Sequence, residues 1–146
     1  MLGFADRCAG VDIFGIGIDP HETSEWATLI GNQKVQGGLP AKTVACWKEV
    51  AAKFPTLTGA GAWGDRSHQA RKSCHNIGAA VDFMTTNKAL GDKVLAYLLA
   101  NVKRLGLTVI IWWGRIYSAA RKWVGRPYLG RSRHKDHLHV SIGCNG

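Results

Sequence analysis

The sequence predicts an α+β fold in which a small antiparallel sheet packs against two main helices. Three features predict it: two amphipathic stretches at helical spacing, an apolar run rich in β-branched residues, and an alternating run near the C terminus. With 146 residues, the chain is long enough to bury a core and short enough to form one domain over residues 1–146. Its motifs lie within about 60–142.

The two helices are predicted from their ends and their apolar spacing. The first starts at Pro40, a residue suited to the first helical turn, and ends before Pro55. Its core face consists of Val44, Trp47, Ala51 and Phe54. For the second, Thr86 is the expected N-cap, and the helix runs to about Leu105 before Gly106.

Short strands are predicted on both sides of the second helix. Residues 59–64 are rich in glycine and read as a short strand, and residues 107–113 are a buried strand by their β-branched and aromatic content. A turn at residues 114–115 leads into another strand over residues 116–118.

Residues 135–141 carry the densest group of reactive side chains. Because side chains alternate along a strand, His137 and His139 are expected to share a face, with Asp136 at the strand's mouth. A zinc site needs at least three protein ligands, so two histidines are not enough.

Further ligands are available upstream, in residues 73–83. His75 and Asp82 are seven positions apart, with small residues between them that suit a tight loop before a buried strand. Val81 and Phe83 flank Asp82, so its carboxylate should point to the opposite face. A buried carboxylate must be paired, protonated or bound to a metal.

These two segments resemble the LAS metallopeptidases, a group named after lysostaphin, D-Ala-D-Ala metallopeptidases and Sonic hedgehog. The resemblance lies in S-x-H-x-x-G-x-A-x-D at residues 73–82 and D-H-x-H-V at residues 136–140, and it extends over about 63–142. The most similar branches are the VanY-type D-alanyl-D-alanine carboxypeptidases and the phage L-alanyl-D-glutamate endopeptidases. The resemblance implies a hedgehog-like peptidase fold whose sheet carries the metal site.

The resemblance also implies roles for individual residues. One zinc ion would be held by His75, Asp82 and His139, with Asp136 as the general base and His137 facing the metal without binding it. Zinc would activate a water molecule to hydrolyse an amide bond in the peptide stem of bacterial peptidoglycan. Whether the enzyme is a carboxypeptidase or an endopeptidase stays open.

Substrate contacts are expected from residues around the first motif. Family members place an arginine before the first ligand, and Arg71 is the preferred candidate for this catalytic position, with Arg66 as the other. Ser73 and His68 are further candidates for substrate binding. One tryptophan, for which we choose Trp113, could form the floor of the substrate groove, although the hydrophobic core is the commoner place for such a residue.

The net charge and the hydropathy of the sequence indicate which classes of partner to expect. The formal net charge is +9, which favours anionic partners such as cell-wall polymers, in addition to the peptidoglycan that the resemblance implies. We expect no nucleic-acid partner, no membrane span, no signal peptide in this chain and a monomer that acts outside the cell or on the wall. Seven basic residues form either a wall-binding surface or an ordinary solvated one: Arg115, Arg121, Lys122, Arg126, Arg131, Arg133 and Lys135.

The four cysteines, Cys8, Cys46, Cys74 and Cys144, have no C-x-x-C spacing, so a cysteine zinc site is not expected. An even count in a small wall-directed domain favours disulfides, with three possible pairings; four free thiols are the alternative.

Two other functions compete with a peptidase. A phosphodiesterase is suggested by the basic charge and by the HNH-like pair Asp136-His137, but only nine residues follow His137, too few for that motif's hairpin and helix. A non-catalytic, zinc-stabilised module that binds cell wall is the second, because hedgehog proteins keep the metal without known proteolysis.

Overall fold

The fold is α+β, as the sequence predicts, with helices packed on a six-stranded antiparallel sheet. This computed structural model describes residues 28–30, 33–35, 38–62 and 73–144. The helices are α1 (Ala41–Lys53), α2 (Lys88–Leu99) and α3 (Val102–Leu105). The strands are β1 (Thr28–Ile30), β2 (Gln33–Val35), β3 (Gly59–Gly61), β4 (Ala80–Met84), β5 (Leu107–Trp112), β6 (Arg115–Ser118), β7 (Arg126–Pro127) and β8 (His137–Ile142).

The sheet places the C-terminal strand at its centre. Strand order is β3-β4-β8-β5-β6-β7, and each neighbouring pair is antiparallel. β1 and β2 form a separate two-stranded sheet. Because β8 lies between β4 and β5, the two motif-bearing segments are direct neighbours although they are far apart in sequence.

One face of the six-stranded sheet forms the core with the helices. Alternation along β4 and β8 sends Val81, Phe83, Leu138 and Val140 to this face, where all four are fully buried. The helices contribute apolar residues at helical spacing to the same cluster: Cys46, Trp47, Val50, Ala51, Val94 and Leu98.

The second helix differs from its prediction at both ends. Its N-cap is Asn87, whose side-chain oxygen accepts a hydrogen bond from the Leu90 backbone N–H at 3.1 Å, so the expected Thr86 cap is wrong. The expected continuous helix to Leu105 is interrupted after Leu99, and the short helix α3 follows. Gly106 ends α3 in the left-handed conformation.

Gly91 lets α2 approach β5 closely. A Cβ atom at this position would lie 2.0 Å from Cζ2 of Trp112. The Trp112 indole N–H donates a hydrogen bond to Asp92 at 3.0 Å. The buried ring therefore fixes α2 against the strand that runs beside β8.

A disulfide joins Cys74 to Cys144, which confirms the expectation of disulfide bonding and selects a pairing that the sequence left open. Cys46 is buried and carries a free thiol, and Cys8 lies outside the described residues. Cys74 directly precedes His75, and Cys144 follows the end of β8, so the bond ties the two motif segments together across 70 positions. In the described part of the chain, no helix is long and apolar enough to cross a membrane.

Candidate metal centre

Strand register brings the first two candidate ligands together. Asp82 on β4 lies directly opposite His139 on β8, on the sheet face away from the helices. His75 comes from the short 3-10 helix Cys74–Ile77, which precedes β4. That helix ends at Gly78 with a φ of 69°, a left-handed conformation that glycine adopts without strain. The turn leads into β4 within two residues and so keeps His75 close to Asp82.

Three ligand atoms converge at this point. His75 Nε2 lies 3.1 Å from Asp82 Oδ1 and 3.2 Å from His139 Nδ1, and His139 Nδ1 lies 3.3 Å from Asp82 Oδ1. His75 and His139 are buried, and the Asp82 side chain is 18% exposed. The group could therefore hold a metal ion, as the sequence predicts.

The outer nitrogen of each histidine has its own partner, which orients the ring. His75 Nδ1 lies 2.6 Å from the backbone carbonyl oxygen of Ala62, which can only accept, so this nitrogen carries the proton. His139 Nε2 lies 2.9 Å from the Ser141 hydroxyl, which can accept a hydrogen bond from that nitrogen. When both outer nitrogens carry the ring protons, the inner nitrogens present lone pairs to a cation. Such outer contacts are typical of histidines that bind metals.

The donor set and spacing fit a tetrahedral zinc ion. Ligand atoms at zinc–nitrogen and zinc–oxygen distances of about 2.0–2.1 Å lie about 3.3–3.4 Å from one another in a tetrahedron. The three distances found, 3.1–3.3 Å, are close to that value. Among the described residues, two imidazoles and one carboxylate supply three of the four ligands that such an ion takes.

Electrostatics keep Asp82 ionised. Burial on its own would raise the pKa of this carboxyl group. In the metal-free site, where the inner nitrogens can carry protons, hydrogen bonds from His139 and His75 and the charges of His75 and His137 outweigh burial and hold the pKa well below its usual range. The site therefore presents a carboxylate rather than a carboxylic acid to any bound cation.

Asp136 and His137 form a hydrogen-bonded couple beside the three ligands. Asp136 Oδ1 lies 2.7 Å from His137 Nδ1, and His137 Nε2 lies 3.8 Å from Asp82 Oδ1. The Asp136 side chain is 67% exposed, and its backbone carbonyl accepts a hydrogen bond from Thr85. The imidazole of His137 thus lies beside the centre, and neither residue belongs to the ligand group.

His134 is a site residue that the sequence interpretation missed. Its ring centroid lies 4.6 Å from that of His137 and 5.1 Å from that of Tyr128, and its side chain is buried. Burial, followed by the charge of His137, lowers the pKa of His134 to about 4. The residue has a φ of 53°, which a period-two reading of residues 135–141 could not anticipate, although a third histidine so close to the motif was a usable signal.

The structure describes two of the predicted substrate and positioning residues. Ser73 caps the 3-10 helix, because its hydroxyl accepts a hydrogen bond from the His75 N–H at 3.2 Å. Trp113 lies in the β5–β6 turn, with the Lys135 ammonium 5.2 Å from its ring centroid. Arg66, His68 and Arg71 lie outside the described residues. Roles for all five in substrate binding stay predictions.

Comparison with known protein families gives one match. The family model described as VldE, C-terminal domain, matches residues 35–139, which is more than half of the chain. The chain belongs to the VldE C-terminal domain family. The VldE match begins at the end of β2, includes His75 and Asp82, and ends on His139. Searches of curated proteins and of solved structures found no significant match.

Proposed function

We propose that this chain is a zinc-dependent peptidase that hydrolyses an amide bond in the peptide stem of bacterial peptidoglycan. The single observation that carries the proposal is the convergence of His75 Nε2, Asp82 Oδ1 and His139 Nδ1, with an acid–imidazole couple beside them. The resemblance of both motifs to the LAS metallopeptidases supplies the substrate class. The disulfide next to His75 supports an extracellular or wall-directed place of action.

Each residue of the site would have a separate role in peptide hydrolysis. Bound zinc would polarise the scissile carbonyl and lower the pKa of a water molecule to about 7. Asp136 would accept a proton from the attacking water and later deliver it to the leaving amine. In its doubly protonated form, His137 would donate one hydrogen bond from Nδ1 to Asp136 and another from Nε2 to the oxygen that becomes negative in the transition state.

The Asp136–His137 couple favours catalysis over a purely structural metal site. A zinc site that only stabilises the fold is normally closed by four protein ligands, whereas the described residues supply three. A titratable couple beside the open position provides the acid–base chemistry that hydrolysis requires.

The test is digestion of purified peptidoglycan with the zinc-loaded protein, with and without a chelator. New amines and shortened stem peptides, identified by mass spectrometry, are expected only without the chelator, and the fragments identify the bond. Wall binding without new amines would overturn the peptidase proposal and support the binding module instead. The Asp136→Ala variant controls for a contaminating hydrolase, since it should bind zinc and leave the wall intact.

A further inference from the structure

A groove lies on the same sheet face as the candidate metal centre. It has a volume of about 260 Å3 and is lined by Thr108, Val109, Ile116, Ser118, Ala120 and Arg126. Val109 lies directly opposite Ser141, whose hydroxyl contacts His139. The groove therefore begins one strand away from the residue that orients a metal ligand.

Arg126 brings an uncompensated charge into this groove. Its Nε atom is buried and has no hydrogen-bond partner. No ion pair involving this residue occurs among the described residues, and no acid is present among the six that line the groove. Because Nε is buried, an incoming anion would be bound by the terminal nitrogens of the guanidinium, a permanent cation that no residue lining the groove neutralises.

The register of the sheet aligns Arg126 with the metal centre. Asp82 faces His139, His139 faces Ile111, Ile111 faces Ile116, and Ile116 faces Arg126, so these residues form one row on one face. Three strand spacings separate the backbones of β8 and β7, about 14 Å. An extended peptide spans this distance in about four residues.

We propose that Arg126 forms a carboxylate-binding subsite that recognises a free carboxylate of the substrate peptide within about four residues of the scissile bond. This inference rests on the proposed function for its substrate, but it concerns a different residue and a different groove. Guanidinium groups bind carboxylates through two parallel hydrogen bonds, and in Arg126 the two terminal nitrogens can donate them, since Nε is buried. The subsite would select stem peptides by charge and fix their direction across the sheet.

The kinetic test uses pairs of synthetic stem peptides that differ only in one carboxylate, which is replaced by a carboxamide. For the recognised position, we expect the zinc-loaded protein to have a kcat/KM for the carboxylate peptide about 10- to 100-fold above that for its partner, the range of a charge-assisted hydrogen bond. In Arg126→Gln the ratio should fall to about 1. Arg131→Gln, an exposed arginine outside the groove, should keep the wild-type ratio. An unchanged ratio in Arg126→Gln would overturn the subsite.

A binding measurement separates this inference from the proposed function. In Asp136→Ala, the NMR signal of the Arg126 Nε–H should move when the carboxylate peptide is added and stay in place with the carboxamide peptide. If the signal moves as expected but the wild-type protein cleaves neither peptide, the subsite stands and the peptidase proposal fails. If the peptides are cleaved but neither moves the signal, the peptidase proposal stands and the subsite is wrong.

Discussion

The two faces of the central sheet are made by alternate residues of the same strands. On β4 and β8, Val81 and Leu138 point to the helices and are fully buried, whereas Asp82 and His139 point to the opposite face. Burial of each apolar side chain on the core face contributes about 1.5–3 kcal/mol to folding. On the opposite face, the ligand atoms of His75, Asp82 and His139 lie within 3.3 Å of one another. A shared cation would offset the cost of burying these polar groups.

This comparison indicates that packing on the core face fixes the positions of the candidate metal ligands on β4 and β8. The apolar residues of β4 and β8 pack in the core and so fix the register of the two strands. The pairing of Asp82 with His139 therefore follows from the hydrophobic pattern rather than from the metal ligands. The ligands can therefore meet without a metal to assemble them. Changes on one face should affect chemistry, and changes on the other should affect stability.

The largest expected effect comes from the acid on the site face. Asp136→Ala should lower turnover by roughly 100- to 10,000-fold, because it removes the general base, while zinc content stays at the wild-type level. Stem-peptide hydrolysis and metal analysis of the same preparation measure both quantities. Full activity in this variant would show that the base is another residue.

Removal of the disulfide should affect both the core face and the site face of the sheet, since the bond links the His75 segment to the end of β8. Loss of a cross-link that closes a loop of this length is expected to lower the free energy of unfolding by about 4 kcal/mol. Denaturant unfolding of the Cys74→Ala/Cys144→Ala variant measures it. If this variant unfolds at the wild-type denaturant concentration, the bond is not needed for the fold.

The Ser141→Ala variant tests whether the contact between the Ser141 hydroxyl and His139 Nε2 affects metal affinity. Ser141→Ala removes the hydroxyl that lies against His139 Nε2, and zinc affinity should fall by about 10- to 100-fold. Ser118→Ala is a matched control on the same face, two strands away, and should keep the wild-type affinity. Competition with a chelating dye measures both. Equal losses in the two variants would argue against a specific contact.

The smallest effect on the site is expected from the core face. In Gly91→Ala, the new methyl group would collide with Trp112, and overpacking should cost about 1–3 kcal/mol, although alanine in an exposed helix would stabilise by about 1 kcal/mol. Thermal unfolding should show destabilisation, with zinc affinity of the folded protein unchanged. Gly59→Ala, where the nearest atom outside the strand is 4.0 Å away, is the control.

Sequence alone predicted the features that depend on periodicity. Alternation along each strand placed the Asp82 carboxylate on the face opposite Val81 and placed His139 on the same face as His137, and helical spacing placed Trp47 in the core. The N-cap was displaced by one residue because both Thr86 and Asn87 can cap, and only the backbone path decides between them.

Contacts that depend on the three-dimensional path could not be predicted. Nothing in the spacing of the cysteines selects Cys144 as the partner of Cys74, because their proximity depends on the central position of β8. The hydrogen bond of Asp136 to His137 and the burial of His134 likewise depend on the turn that precedes β8.

Zinc binding by the folded protein tests the central claim most directly. Titration of the metal-free protein should give one zinc ion per chain, and Asp82→Asn or His139→Ala should abolish this binding, while Asp92→Asn, an exposed aspartate on α2, should bind as the wild type does. Zinc binding that survives both ligand substitutions, or a wild-type protein that binds no zinc, would contradict a metal centre formed by His75, Asp82 and His139.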